Sequence, residues 1–307
     1  DKPVVRLPAA KTYCGPQTLQ VTEHDQNHLP VYDAQQGTIS GYRWNVTGPG
    51  AISYENGTSS SSAYPVMRFE TPGVYEVGVV ATNECGDSEV ARQTITIDAL
   101  PELAATSPKA AICLGESTTI SVSGANTYTW APARGLSATT GSTVTATPTE
   151  TTTYTITGTN SSTGCVSSTT FTVVVNTPPA VAVTADNTAI CEGQGAATLT
   201  ATGADHYTWS PATGLSASTG ASVTATPTKT TTYTVTGVDE ATGCSSTATV
   251  TVTVNPLPAV SAGPDIEVCN NPVPTQLSGN PAGGSWSGAH VSADGKFTPP
   301  SETGTFE

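Results

Sequence analysis

Charge is scarce in this sequence. Only 11% of its 307 residues are Asp, Glu, Lys or Arg, against roughly a quarter in ordinary globular chains, and Thr and Ser stand where Lys and Glu would usually coat the surface. The 24 acidic and 10 basic residues leave a net charge of -14, spread thinly rather than in runs. No basic cluster exists to neutralise phosphates, which excludes a nucleic-acid partner, and the acidic balance argues equally against anionic membrane surfaces. No run of 18 or more apolar residues occurs, so nothing reads as a membrane-spanning helix. The chain opens at Asp1 without Met or a signal-like apolar segment and reads as processed, or as a piece of something longer.

Helical periodicity is missing too. No convincing stretch places apolar residues at i, i+3, i+4 and i+7, and the abundant Thr and Val are branched at Cβ and favour strands. Without helices there is no glycine-rich loop opening onto a helix N-terminus to cradle a phosphate. CxxC and Cys/His ligand spacings are absent, which removes zinc. His24 and His28, with Asp25 between them, have the spacing of a helical ligand pair but sit in a polar, non-helical insertion and read as a solvated loop. His206 and His290 fall in different parts of the chain, so no Ser/His/Asp arrangement can be assembled within one domain.

What is present is a near-copy. Residues 128–159, YTWAPARGLSATTGSTVTATPTETTTYTITGT, match residues 207–238, YTWSPATGLSASTGASVTATPTKTTTYTVTGV, at 24 of 32 positions without a gap. Tyr128, Trp130, Pro132, Leu136, Pro148 and Tyr154 recur 79 residues later as Tyr207, Trp209, Pro211, Leu215, Pro227 and Tyr233. That period is too long for a solenoid repeat and suits a whole small domain. Apolar alternations ending in proline-bearing junctions (Ile95 to Pro101, Val173 to Pro179, Val252 to Pro258) mark the boundaries. They predict domains at 1–101, 102–179 and 180–258, followed at 259–307 by the first part of a fourth. Junctions so short and proline-rich predict a linear string of neighbours.

Within each unit the period is two. In the second, Ile120 and Val122 alternate with Thr and Ser, Tyr128 and Trp130 share a face, Tyr154 and Ile156 alternate with Thr, and Phe171, Val173 and Val175 line one face of the last strand. About seven short strands per unit with frequent turn signals predict a two-sheet antiparallel sandwich. One Trp falls in each unit (Trp44, Trp130, Trp209 and Trp286), and each is expected in the core. The alternative, a stacking platform for sugar rings, needs exposed aromatic neighbours that the pattern does not supply. Thr pairs across antiparallel strands would keep the outer faces soluble without charge.

The seven cysteines fall as two per unit, Cys14 and Cys85, Cys113 and Cys165, Cys191 and Cys244, with Cys269 left over. Pairs of this kind in small domains read as disulfides formed in an oxidising, extracellular compartment. Bonds within units are the favoured pairing, closing loops worth about 4 kcal/mol each in the chain-entropy model; Cys269 would then be unpaired because its partner lies beyond the chain. One geometric difficulty opposes that pairing. In a seven-strand sandwich the first Cys lies at one pole and the second follows the F–G hairpin at the other, while a bridge needs Cα atoms within about 7 Å. A first strand that switches sheets could relieve it; otherwise the bond runs between neighbours, as Cys113 with Cys244 would. Cys14-Gly15-Pro16-Gln17 contains the Cys and Gln of an internal thioester, but a conventional partner for Cys14 makes that the weaker reading. Asp186, Asp205, Asp239, Glu240 and Asp265 lie near turns or junctions and are the candidates for calcium, which takes carboxylate and carbonyl oxygens. No other cofactor is called for.

Unit one carries Tyr42-Arg43-Trp44-Asn45-Val46 and Thr71-Pro72-Gly73-Val74-Tyr75-Glu76-Val77-Gly78-Val79, ending in Asn83-Glu84-Cys85-Gly86. It resembles a polycystic-kidney-disease (PKD)-type immunoglobulin-like module. Units two and three carry Cys113-Leu114-Gly115-Glu116 and Cys191-Glu192-Gly193, with Thr163-Gly164-Cys165 and Thr242-Gly243-Cys244. They resemble repeat modules of very large Bacteroidota surface proteins, among them gliding-motility adhesins exported by type IX secretion. Gly284-Ser285-Trp286-Ser287-Gly288 and Asp294-Gly295-Lys296-Phe297-Thr298-Pro299 resemble a second module type of the same proteins. The resemblance implies an all-β chain of tandem immunoglobulin-like sandwiches acting as a non-enzymatic, extracellular stalk or filament segment. Its partners would be neighbouring domains, other copies in a fibre through unpaired edge strands, or surface glycans. The competing expectation is a polysaccharide-binding or accessory module of a secreted enzyme.

Overall fold

Alternation of apolar with Thr or Ser residues becomes strand throughout, and no helix occurs among the described residues. The structure, a computed structural model, describes residues 1–21, 38–269, 273–300 and 304. The chain divides into two compact units, Asp1–Thr177 and Pro178–Glu307.

The first unit contains two sandwiches. The first sandwich is built from β1 (Lys11–Cys14), β2 (Gln17–Gln20), β3 (Gly41–Thr47), β4 (Ser53–Glu55), β5 (Val66–Phe69), β6 (Gly73–Asn83), β7 (Gly86–Asp87) and β8 (Ala91–Asp98). One sheet runs β1-β8-β6-β3, with β7 against β6, and the other runs β2-β5-β4. The second sandwich is built from β9 (Ala104–Thr106), β10 (Ala111–Cys113), β11 (Thr118–Ser123), β12 (Thr127–Ala131), β13 (Thr143–Ala146), β14 (Thr152–Thr159) and β15 (Val166–Asn176). Its sheets are β10-β15-β14-β12 and β13-β11-β9.

The second unit repeats that plan. Here β16 (Ala182–Ala185), β17 (Ala189–Cys191), β18 (Ala197–Thr202), β19 (His206–Ser210), β20 (Ser222–Ala225), β21 (Thr231–Val238) and β22 (Ser245–Asn255) form sheets β17-β22-β21-β19 and β16-β18-β20. Beyond Asn255 the described residues carry one small sheet, β23 (Thr275–Gln276) against β24 (Lys296–Phe297).

The initial strand segment is divided between sheets. β9 pairs antiparallel with β11 in one sheet, whereas β10 crosses over and pairs parallel with β15, the last strand, in the other. β16 and β17 divide in the same way, and β1 repeats the parallel pairing against β8. Two packed antiparallel sheets with this switch are the immunoglobulin-like sandwich.

Three hydrophobic cores fill the sandwiches. Trp44, Trp130 and Trp209 are only 5%, 4% and 4% exposed. Each passes its indole N–H to a backbone carbonyl, of Ser62, Gly141 and Gly220 respectively, at 2.8–2.9 Å, so the polar edge of a large apolar ring is satisfied inside the core. Trp286 departs from that pattern: it is half-buried and packs against Gly279 and Gly295. The recurring Tyr residues on β6, β14 and β21 are fully buried. Tyr75 donates to the Thr71 carbonyl four residues upstream (2.8 Å), while Tyr154 and Tyr233 reach Arg134 and Thr213, each twenty residues upstream.

Outward-facing Thr residues form ladders. Thr153 stands opposite Thr172 and Thr232 opposite Thr251, each pair of hydroxyls 2.8 Å apart. Cross-strand hydroxyl pairs of this kind hold the register without charge.

Gly124 has φ +103° and faces the carbonyl of Glu102, which a Cβ would meet at 1.8 Å; Gly164 has φ +76° with open space around it. Replacing Gly164 by Ala therefore introduces only the left-handed backbone penalty of about 1–2 kcal/mol. Gly124→Ala must also displace backbone, and its melting temperature in thermal unfolding is expected to fall clearly further than that of Gly164→Ala.

Candidate functional site

The most organised arrangement of side chains outside the cores lies where one sandwich follows another in the first unit. The parallel pairing of β1 with β8 sets Cys14 opposite Asp98, at the end of β8 from which the chain leaves the first sandwich. Gly15 N–H donates to the Asp98 carbonyl at 2.8 Å, and the same closing bond recurs as Leu114 to Asn176 and Glu192 to Asn255. Leu100 of the connecting segment packs on Gly15, and the Pro101 carbonyl accepts from the Ser167 hydroxyl at 2.5 Å.

Across this junction the turn between β14 and β15 presents the second cysteine. Asn160 N–H donates to the Cys165 carbonyl (2.9 Å) and Gly164 N–H to the Asn160 carbonyl (2.7 Å), while the Asn160 side chain accepts from Ser162 N–H and the Thr163 hydroxyl from Cys165 N–H. Such side-chain turns are what Asn and Thr form most readily. Cys165 is held 1% exposed and bonded to Cys14, with Cα atoms 5.4 Å apart.

The expectation of bonds within domains is therefore overturned. Cys14 pairs with Cys165 of the next sandwich, not with Cys85, and Cys113 cannot pair with Cys165. Cys191 is an exposed free thiol, so it does not pair with Cys244; Cys85 and Cys269 are free and exposed as well. Cys113 and Cys244 are both disulfide-bonded. The cause is the geometry of the last strand. Cys113 lies opposite Asn176 at one end of β15, and Cys165 immediately precedes its other end. Eleven residues of strand separate the two by roughly 35 Å, far beyond the reach of a bridge. The sheet switch of the first strand, which was to relieve the difficulty, creates this separation. A bond closing 151 residues stabilises by about 5 kcal/mol in the chain-entropy model. It also removes the thioester reading, since the Cys14 sulfur is already engaged.

The third sandwich presents the same turn with one change. Asp239 stands where Asn160 does, with Gly243 N–H donating to its carbonyl and Asp239 N–H to the Cys244 carbonyl. Its carboxylate accepts from the Thr242 hydroxyl and amide, both at 2.8 Å, and these bonds hold it below the ordinary carboxylate range. Two of the other candidate calcium ligands also accept backbone hydrogen bonds: Asp186 from Thr198 N–H at 2.7 Å and Asp205 from Glu240 N–H at 2.9 Å. Among the described residues no three His, Cys, Asp or Glu side chains gather as a metal site. His24, His28 and Asp25 lie outside the described residues. His206 faces Glu240 at 3.6 Å on the surface.

The topology defines the class of protein, a chain of tandem immunoglobulin-like domains, and one family model agrees with it over part of the chain. Residues 178–256 match the family model described as "Ig-like domain CHU_C associated". No curated protein sequence matches the chain significantly. Among solved structures it is similar to the N-terminal eight Ig domains of Down Syndrome Cell Adhesion Molecule (16% identity, TM-score 0.46), covering 83% of this chain and 37% of that one. It is similar also to titin I-band domains I67–I69 (11%, TM-score 0.39, covering 83% and 99%) and to the Escherichia coli adhesin FdeC (14%, TM-score 0.27, covering 82% and 96%). The chain thus spans little more than a third of the cell-adhesion structure.

Two outcomes test this site. Peptide mapping without reduction should recover Cys14 joined to Cys165 and alkylated Cys85 and Cys191; a Cys14–Cys85 peptide would reverse the assignment. For Asp239 the depressed folded value means its bonds to Thr242 stabilise the turn above the ordinary Asp range and are lost as pH falls through the lowered value. Amide exchange at Thr242 should accelerate in that acid window while exchange at Ser162, bonded to the non-titrating Asn160, shows no matching step.

Proposed function

We propose that the chain is a non-enzymatic spacer: a stalk or filament segment of a large extracellular bacterial surface protein that holds a functional region away from the cell. The observation that carries this reading is the covalent joining of one sandwich to the next. A disulfide between consecutive domains does nothing for a catalytic pocket and much for a structure that must transmit position and force. Disulfide chemistry also supports an oxidising, extracellular setting, and no helix of the described residues is long and apolar enough to cross a membrane. The domain limits 1–101, 102–179, 180–258 and 259–307, the PKD-like character of the first and a Bacteroidota origin with type IX export belong to the same reading. They rest on the residues already quoted.

Polysaccharide binding has less support. The three tryptophans of the sandwiches are interior, with their N–H groups spent on backbone carbonyls, so they form no row on which sugar rings could stack.

A spacer must lengthen when a module is added. With one end of the chain fixed to a surface and a reporter at the other, inserting a further copy of residues 180–258 should raise the reporter by about 35 Å, the length of an 11-residue strand. An unchanged height would remove the spacer reading, and retention on a glycan array would favour the rival.

A further inference from the structure

We propose that the Cys14–Cys165 bond is a covalent load path that carries tension past the bodies of the first two sandwiches. The inference deepens the spacer reading and rests on it.

Chain topology sets the route of the force. Tension entering at Asp1 runs along residues 1–14, crosses the sulfur–sulfur bond to Cys165 and continues through β15 to Thr177. With this bond considered alone, residues 15–164 form a closed loop off the route. That loop contains β2 to β8 and β9 to β14, hence nearly all of both cores. Only β1 and β15 lie in the path, and the chain reaches each at one end and leaves it at the other. β1 ends at Cys14, and β15 begins directly after Cys165 and runs to Asn176.

This changes what the force does. Hydrogen-bonded ladders shear when force enters by one strand and leaves by its neighbour. When it enters and leaves by the two ends of one strand, it is borne along that strand's covalent backbone, and the ladder beside it is not required to transmit the load. Without the bond, force would enter the first sandwich by β1 and leave by β8, which pair side by side over Lys11–Cys14 and Ile95–Asp98, and only four residue pairs would resist. A bond between Cys14 and Cys85 would still shield the interior of the first sandwich and leave the second fully exposed to load. The Cys14–Cys165 bond, taken alone, shields both. In the third sandwich, Cys191 and Cys244 hold the local positions of Cys14 and Cys165 in their own domains, at opposite ends of β22.

The test is single-molecule stretching of the full chain by handles at both termini, in a Cys113→Ser/Cys244→Ser background that leaves the Cys14–Cys165 bond as the one under study. At full extension the chain should be shorter than its dithiothreitol-reduced form by about 500 Å, the length of residues 15–164 at 3.3–3.6 Å each. The unfolding steps of the first two sandwiches should be absent before reduction and present after it. Adding Cys14→Ser/Cys165→Ser should give the long form under all conditions. Equal lengths before and after reduction, or a gain of only about 240 Å as a Cys14–Cys85 loop would release, would overturn the proposal. Either result leaves the reporter-height measurement intact as a separate judgement on the spacer reading.

Discussion

The parallel pairing of a strand of three or four residues with the last strand of its own sandwich is the constraint on which the rest depends. β1 on β8, β10 on β15 and β17 on β22 each end at a cysteine beside the residue with which the last strand closes. The antiparallel hairpin before that last strand places the second cysteine a full strand length away. A domain with its two cysteines at opposite poles cannot bond them to each other, so its sulfurs are directed outward along the chain. Connection between the first two sandwiches follows from strand pairing inside each of them.

Much of the fold was legible because the near-copy made the period unmistakable. Trp130, Tyr154 and Ile156 recur with their spacing intact, and all of them are core; the alternation of Thr with Val or Ile gave the strands and their inward faces. The connectivity of the cysteines was not legible in the same way. Spacing along the chain records how many residues lie between two cysteines and says nothing of which pole each occupies. That depends on a sheet switch made by residues as unremarkable as Ala111-Ile112-Cys113. The geometric difficulty with bonds inside a domain was visible in the strand plan alone; its resolution lay in the neighbour. The turns that present Cys165 and Cys244 could have been read from Asn160 or Asp239 followed by Thr-Gly-Cys, since each residue there satisfies a particular backbone group. Trp286 looked equivalent to its three counterparts by position, but the small sheet beside it leaves it half-buried.

The low charge of the sequence also finds its place. A sandwich exposes the outer faces of both sheets, and cross-strand hydroxyl pairs such as Thr153 with Thr172 stabilise those faces and keep them wet. The ion pairs among the described residues lie on the surface, as between Arg43 and Asp87 or Arg134 and Glu150, where water screens them and they add little. Stability is thus concentrated in three apolar interiors and in sulfur, neither of which salt screens as it screens surface charges.

The placement of the two cysteines has a consequence for how such a chain can grow. Because each repeat has one sulfur at its leading end and one at its trailing end, copying the 79-residue period adds one of each. Duplication therefore adds sulfurs in twos, one at each pole of the new sandwich, as a railway carriage carries a fitting at either end. A scheme with both partners inside one domain would copy equally well but would leave successive domains joined by peptide alone. Copying a repeat copies with it a pair of sulfurs placed at opposite poles, the placement that lets Cys14 and Cys165 fasten the first two sandwiches.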